Sequence, residues 1–256
     1  MSRFRVLQFN MQFGQCWDEK RPDEAPMRLD LTLDEIRRHD ADVVMLQEVE
    51  QAQPGGRQVV PPPNYTRLRD ALPGYHGWFS YPRADARELP FGIGLAILAR
   101  TELGDCTRLD LPSPPIEFDF QGRRTTPTDR LLIGARTSIA GREVQLLNTH
   151  LLAFFMLGSS STRNPFQRQM VAEQLEAAKG PVLLAGDFNV SGHASLVAEF
   201  AARGFLTVQD TRPTWRRRPY VLDHIFHNAP LRCVAHRVEP TPASDHHVLV
   251  ADFEFA

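Results

Sequence analysis

Apolar residues in this chain fall in short runs, and their spacing switches between strand-like and helix-like along its length. Phe4, Val6, Leu7 and Phe9 make Arg3 to Asn10 a buried strand that ends in a polar turn. Leu29, Leu31, Leu33 and Ile36, set among charges, predict an amphipathic helix over Arg28 to His39. Val43 to Leu46 is the next apolar run, so strand, helix and strand follow one another as an α/β unit. The Gly- and Pro-rich residues 51 to 64 read as a loop. A short helix over Thr66 to Leu72, a strand near Trp78 to Tyr81 and a buried strand over Gly94 to Ala99 come next.

Leu111 to Asp129 is Pro-rich and charged and reads as a long surface loop. Leu131 to Ile139 and Val144 to Thr149 flank Ala140-Gly141-Arg142-Glu143 and should pair as an antiparallel hairpin. Asn164 before Pro165 has the chemistry of an N-cap followed by proline at the first helical position, and Gly180 of a helix stop. A strand over Pro181 to Ala185, a helix over Ala194 to Arg203 ended by Gly204, and strands over Val221 to Phe226 and His247 to Phe255 complete the pattern. No repeat, low-complexity segment or dividing linker interrupts it. One α/β domain over residues 1–256 is the simplest reading.

The ends of the apolar runs carry the chemistry. Phe9 is followed by Asn10, Leu46 by Gln47-Glu48, Leu147 by Asn148-Thr149-His150, and Ala185 by Gly186-Asp187-Phe188-Asn189. Val221-Leu222 leads into Asp223-His224, and Ser244-Asp245-His246 precedes the last strand. Singly, such residues are turn formers, solvated charges or structural histidines. Jointly they point to one sheet edge where strand ends converge, as ligand sites in α/β folds do. Converging carboxylates repel unless a cation sits among them. Carboxylate and amide oxygens without thiolate suit a hard ion, Mg²⁺ or Mn²⁺, leaving the histidines for proton transfer or oxyanion contact.

Composition adds limits. Hydrophobic residues make up 42% and charged residues 23%, ordinary for a globular chain, and a net charge of −2 gives no bulk pull toward nucleic acid or an anionic membrane. Cys16, Cys106 and Cys233 show no metal or redox spacing and read as partly buried free thiols of a reducing compartment. Met1-Ser2-Arg3-Phe4-Arg5-Val6-Leu7 lacks the apolar core of a signal peptide. No apolar run reaches the ~20 residues needed to span a bilayer, so there is no transmembrane segment and a cytoplasmic protein is expected. No protein partner is implied.

The segments ending in Asn10, Leu46-Gln47-Glu48-Val49, Asn148-Thr149-His150, Gly186-Asp187-Phe188-Asn189, Leu222-Asp223-His224-Ile225-Phe226 and Ser244-Asp245-His246 resemble the endonuclease/exonuclease/phosphatase superfamily. The resemblance runs in order from residue 10 to residue 246. It implies a four-layer α/β sandwich, two mostly antiparallel β-sheets packed face to face and flanked by helices, with the site at one end. It implies Glu48 as principal metal ligand with Asn10 and Asp245 near the ion. Asp187, supported by Asn189, would activate water; His246, oriented by Asp223, and His150 would face the phosphate. The shared chemistry is in-line attack of water on a phosphate ester.

Two positions depart from the family. Gln12 stands where many nuclease members carry an acidic residue, and Pro90-Phe91-Gly92 stands where some place a Glu partner for the histidine equivalent to His150. Two basic clusters, Arg123-Arg124 with Arg130 and Arg216-Arg217-Arg218 beside Trp215, suggest a grip on substrate phosphates through Arg124, Arg130 and Arg217, with Trp215 stacking on a base. Solvated loops and a packed tryptophan are the plainer alternatives. Leu151 to Leu157 is a core segment or an apolar lip beside the site. The expected activity is metal-dependent phosphodiester hydrolysis with nucleic acid as first substrate. Lipid phosphodiesters or phosphomonoesters are the alternative, and a catalytically silent binding module is the rival from another class.

Overall fold

Most strands of this chain bury both faces, and that places two sheets between outer helices. The computed structural model describes residues 3–256; Met1 and Ser2 of the leader reading lie outside the described residues. In chain order the first half holds β1 (Arg3–Asn10), α1 (Leu29–His39), β2 (Val43–Gln47), β3 (Glu50–Gln51), α2 (Pro63–Ala71), β4 (His76–Ser80), β5 (Gly92–Ile93), β6 (Leu95–Ala99), β7 (Gly104–Leu111), β8 (Phe118–Phe120) and β9 (Arg123–Thr125). The second half holds β10 (Arg130–Ile139), β11 (Arg142–His150), α3 (Phe166–Ala177), β12 (Val182–Asp187), α4 (Ala194–Ala201), β13 (Phe205–Thr207), β14 (Asp223–Asn228), β15 (Leu231–Glu239) and β16 (Val248–Phe255).

One six-stranded sheet has the order β15-β16-β1-β2-β6-β4 and the other β13-β14-β12-β11-β10-β7. Each is antiparallel except for one central parallel pair, β1 with β2 and β11 with β12. Alternation along the strands divides the core. Val6, Val43, Met45 and Ile97 of the first sheet meet Ile133, Leu146, Leu183 and Ile225 of the second. Their neighbours Leu7, Val44, Leu46 and Leu98 face the other way, under Leu29 and Ile36 of α1 and Leu68 of α2. On the far side Leu132, Leu147 and Leu184 lie under Val171 and Leu175 of α3 and Leu196 and Phe200 of α4. Apolar burial on both faces explains why the strands read as continuous rather than alternating runs. The fold class is the α/β four-layer sandwich that the resemblance implies.

Several local expectations need correction. The surface loop over Leu111 to Asp129 contains a hairpin, β8 with β9, turned through Gln121 (φ 51) and Gly122 (φ 79). Its anchor is Phe120, edge-on to Phe91 at 5.3 Å. Strands β7, β13 and β15 add to the expected elements; all are edge strands whose residues face solvent in part, so they lack the apolar run that marks a central strand. The α3 helix begins at Phe166 with Pro165 at its cap, and Asn164 instead donates to Ser159 Oγ at 2.9 Å. It ends at Ala177; Ala178 is already extended, ahead of Pro181. Asp223 opens β14 rather than ending a strand. The cysteines are free, with Cys106 exposed on β7 rather than partly buried.

Candidate active site

Topology brings the strand-end residues to one end of the sandwich. β1 and β2 are parallel with Asn10 beside Gln47, and β11 and β12 are parallel with His150 beside Asp187. β14 runs antiparallel to β12 and starts at Asp223, opposite Asp187. β16 starts just after His246. Carboxyl ends of four strands and amino ends of two therefore share one rim.

The contacts centre on Asp187 Oδ2. Asn10 Nδ2 donates to it at 3.0 Å, and the Nε2 atoms of His150 and His246 each stand 3.6 Å away. The other oxygen, Oδ1, accepts the Asn189 backbone N–H at 3.0 Å. Asn189 is left-handed (φ 50), and its amide donates to Leu151 O at 3.0 Å. Asn10 Nδ2 also reaches Glu48 Oε1 at 3.2 Å, which lies 3.9 Å from His150 Nε2. Asp245 Oδ1 is 4.0 Å from His246 Nε2. His246 Nδ1 bonds Asp223 Oδ2 at 2.8 Å, and Gln8 Nε2 donates to Asp223 Oδ1 at 2.8 Å. All eight residues singled out at strand ends meet here.

Burial and mutual charge set the ionisation. Burial, then the charge of Asp245, pushes the Glu48 carboxyl up to about 7. Asp187 is likewise raised, by burial and then by Asp223. Burial alone would lower His246, but Asp223 and Asp187 together outweigh it and hold the imidazolium up to about 10. His150 goes the opposite way: burial, Arg130 and His246 all keep it neutral. One charged and one neutral histidine thus flank one oxygen of the Asp187 carboxyl.

The donor set fits a hard divalent cation. Asp187, Asp223 and His246 each place a ligand atom within 4.8 Å of the others. Yet both oxygens of Asp223 are committed, to His246 and to Gln8, so that carboxylate orients the imidazole instead of facing an ion. Glu48 and Asp245 could offer carboxylate oxygens to an ion, and so could Asn10 through Oδ1, which also accepts the Gln12 N–H at 3.1 Å; burial first and the Asp245 charge second raise Glu48, and a cation would relieve both.

The substrate-binding candidates separate. Arg130 acts electrostatically on both Glu48 and His150, has no ion-pair partner among the described residues, and its buried Nε has no hydrogen-bond partner there. Trp215 and Arg217 belong to Asp245: Trp215 Nε1 and Arg217 Nε both donate to its Oδ2, at 3.1 and 2.8 Å. Arg217 also pairs with Asp23 at 2.8 Å. Arg124 is exposed, pairs with Glu117 at 2.9 Å and makes no contact with the cluster. Leu151, Leu152 and Phe154 are core, whereas Met156 is exposed and Phe155 packs against Trp215 and Tyr220 at 5.8 and 5.3 Å. The segment is therefore core at its start and lip at its end.

Sequence reading missed the residues that hold the site residues in place. Gln8, Gln47 and Asn148 form a buried amide chain beneath the cluster, Gln8 Nε2 to Gln47 Oε1 and Gln47 Nε2 to Asn148 Oδ1, each at 2.7 Å. A lone amide inside an apolar strand was the available signal. Ser244 Oγ donates to Asn10 O at 2.8 Å and accepts the His246 N–H at 3.1 Å. Gln12 Oε1 accepts the Asp245 N–H at 3.1 Å, so the position without a carboxylate serves as a fastener.

Comparison with known proteins bears on the family and the fold. The model of the Endonuclease/Exonuclease/phosphatase family matches residues 7–246. Among solved structures, an endonuclease/exonuclease/phosphatase from Beutenbergia cavernae is 20% identical with a TM-score of 0.73, covering 100% of this chain and 72% of that one. The human Nocturnin catalytic domain is 22% identical with a TM-score of 0.66 and coverages of 99% and 95%. A Bacteroides thetaiotaomicron mannosyl-6-phosphatase is 16% identical with a TM-score of 0.71 and coverages of 98% and 100%. No curated protein sequence matches this chain.

Proposed function

Because the chain belongs to the Endonuclease/Exonuclease/phosphatase family, we propose that it hydrolyses phosphate esters with a bound divalent cation, Mg²⁺ or Mn²⁺, by in-line attack of water. Glu48, Asp245 and Asn10 hold the ion, which when bound supplies charge stabilisation at phosphate oxygens. Asp187 orients the attacking water and takes its proton, with Asn189 fixing the turn that presents it. His246, kept charged by Asp223, meets the oxygen on which negative charge develops, and neutral His150 donates a hydrogen bond beside it. The observation that carries this reading is Asp187 Oδ2 standing 3.6 Å from both imidazole Nε2 atoms.

The first substrate class is a phosphodiester of nucleic-acid type. Arg130 is a cation without an ion-pair partner among the described residues and so is open to a phosphate, and the Phe155–Trp215–Tyr220 rings offer an aromatic face next to His246, whose ring lies 6.4 Å from that of Trp215. A small phosphomonoester is the second reading. It is favoured by the pairing of Arg217 and Arg124 with acidic neighbours, which removes two cations from any polyanion grip, and by the likeness to a mannosyl-6-phosphatase.

Turnover of bis(p-nitrophenyl) phosphate and p-nitrophenyl phosphate with Mg²⁺ or with EDTA tests the chemistry. Metal-dependent hydrolysis lost in Asp187→Ala and His246→Ala is expected. Activity indifferent to EDTA and to both substitutions refutes it. Among natural substrates, cleavage of single-stranded DNA or RNA that weakens steeply with salt supports the polymer, because neutralised phosphates release counterions.

A further inference from the structure

In the turns after β1 and β2 three residues adopt left-handed backbone without being glycine: Gln12 (φ 43), Phe13 (φ 45) and Glu48 (φ 49). Side-chain-bearing residues stay in that region only where their surroundings over-determine it. The two turns are tied directly, the Phe13 N–H donating to Glu48 O at 2.7 Å. Beyond them stands Asn64, the second residue of α2. Its Nδ2 donates to Phe13 O at 2.9 Å and to Val49 O at 3.0 Å. One amide group therefore fastens the loop after β1 to the turn after β2, using both of its N–H donors.

This is not helix capping, in which a side chain accepts N–H groups of its own helix; Asn64 donates away from the helix to other loops. The capping is done by Glu50, whose Oε1 accepts the Tyr65 N–H at 2.9 Å. Glu50 thereby fixes the start of α2 against the same turn that Asn64 grips. A closed loop of bonds results: Glu48 to Phe13, Phe13 to Asn64, Asn64 to Val49, and Glu50 to Tyr65.

We propose that Asn64 is a positioning residue that holds the Glu48 turn in its left-handed form and so sets the affinity of the site for its divalent ion. The inference rests on the reading of Glu48 as a ligand. Asn64→Asp keeps the shape and loses both donors, and Asn64→Ala removes the group. Calorimetric titration of the full-length protein with Mn²⁺, without substrate, should show Kd raised at least tenfold in both variants. Hydrolysis of bis(p-nitrophenyl) phosphate should need correspondingly more Mg²⁺, with kcat at saturating metal within threefold of the parent and KM for the ester unchanged. Circular dichroism melts in EDTA confirm that the variants are folded; a variant that is not yields to Asn64→Ser, which is judged by the same titration. Parental Mn²⁺ affinity in folded variants overturns the role of Asn64 and leaves the metal-dependent reading intact. A parent protein that binds no Mn²⁺ and ignores EDTA overturns both.

Discussion

Gly92 tests how closely Glu48 must be held. A Cβ built on Gly92 would stand 2.1 Å from Glu48 Oε2, 2.3 Å from its Cβ and 2.6 Å from its Cδ. The side-chain tip alone cannot relieve this, because the Glu48 Cβ is itself in the way. Nor can the backbone retreat freely: Glu48 is left-handed, and its carbonyl accepts the Phe13 N–H at 2.7 Å. On the other side Gly92 lies in β5, paired with β3 through Glu50 and Ile93. In Gly92→Ala, Glu48 must therefore recede by roughly 1 Å, a displacement that at a reacting centre costs about 10²-fold in rate. That corresponds to about 2.7 kcal/mol of transition-state stabilisation. Overpacking should add a stability loss of about 1–3 kcal/mol. The assay is kcat/KM for bis(p-nitrophenyl) phosphate over a Mg²⁺ series, beside urea unfolding. Gly192→Ala, whose added Cβ meets nothing within 4 Å, is the control and should match the parent. Gly92→Ala with kcat/KM within threefold of the parent at every Mg²⁺ concentration would refute the reasoning.

Other positions give independent checks. Gly186→Ala puts a Cβ 2.2 Å from Thr149 O inside the parallel pair of β11 and β12, where backbone cannot give way; a loss of about 3 kcal/mol in urea unfolding is expected, and an unchanged midpoint would count against it. Asp223→Asn preserves shape but removes the charge that holds His246 protonated, so kcat should fall roughly 10³-fold with little change in melting temperature, and a loss under tenfold speaks against the pairing. Glu35 of α1 is held at about 2: burial raises it, but His39, Arg38 and Thr241 together outweigh burial. Because its folded value lies below the usual 4.5, its stabilisation is present above pH 4.5 and is lost as pH falls toward 2. Screened by solvent it contributes roughly 1–2 kcal/mol at neutral pH. Glu35→Gln should therefore destabilise at pH 7 and match the parent near pH 2; equal stability at pH 7 would remove the linkage.

The chain shows its site more plainly than its rim, for a physical reason. The ends of central strands are marked locally, where an apolar run stops at Asn10, Glu48, His150 or Asp187, and one rule about converging strand ends gathers them. The rim depends on partners remote in sequence. Arg217 reads as a phosphate grip beside Arg216 and Arg218, but Asp23, from the other end of the chain, and Asp245 take its guanidinium. Arg124 is likewise taken by Glu117 across the β8–β9 hairpin, whose Pro-rich, charged sequence carries no strand signal. Of Arg124, Arg130 and Arg217, it is Arg130 that has no ion-pair partner among the described residues, and its Nε is buried without a hydrogen-bond partner there. Edge strands such as β7 and β15 escape for the complementary reason: they complete a sheet without being buried, so no hydrophobic period announces them.

The two departures from the family pattern have one structural meaning. Gln12 lacks the acid of nuclease members, yet its Oε1 holds the Asp245 N–H, so the position still serves the site through backbone placement instead of charge. No carboxylate stands at Gly92 because Glu48 fills that space: any side chain there would collide with it. His150 then has Glu48 itself, at 3.9 Å, and Asp187, at 3.6 Å, as its acidic neighbours. Fewer carboxylates at this rim leave less charge to compensate, and Gln12, Phe13, Glu48 and Asn189, all left-handed, hold the remaining ones in place. Strain of this kind is invisible to a composition rule that expects glycine in such turns. It is also why the bonds of Asn64 to Phe13 O and Val49 O weigh more on the site than the part-exposed position of that side chain suggests.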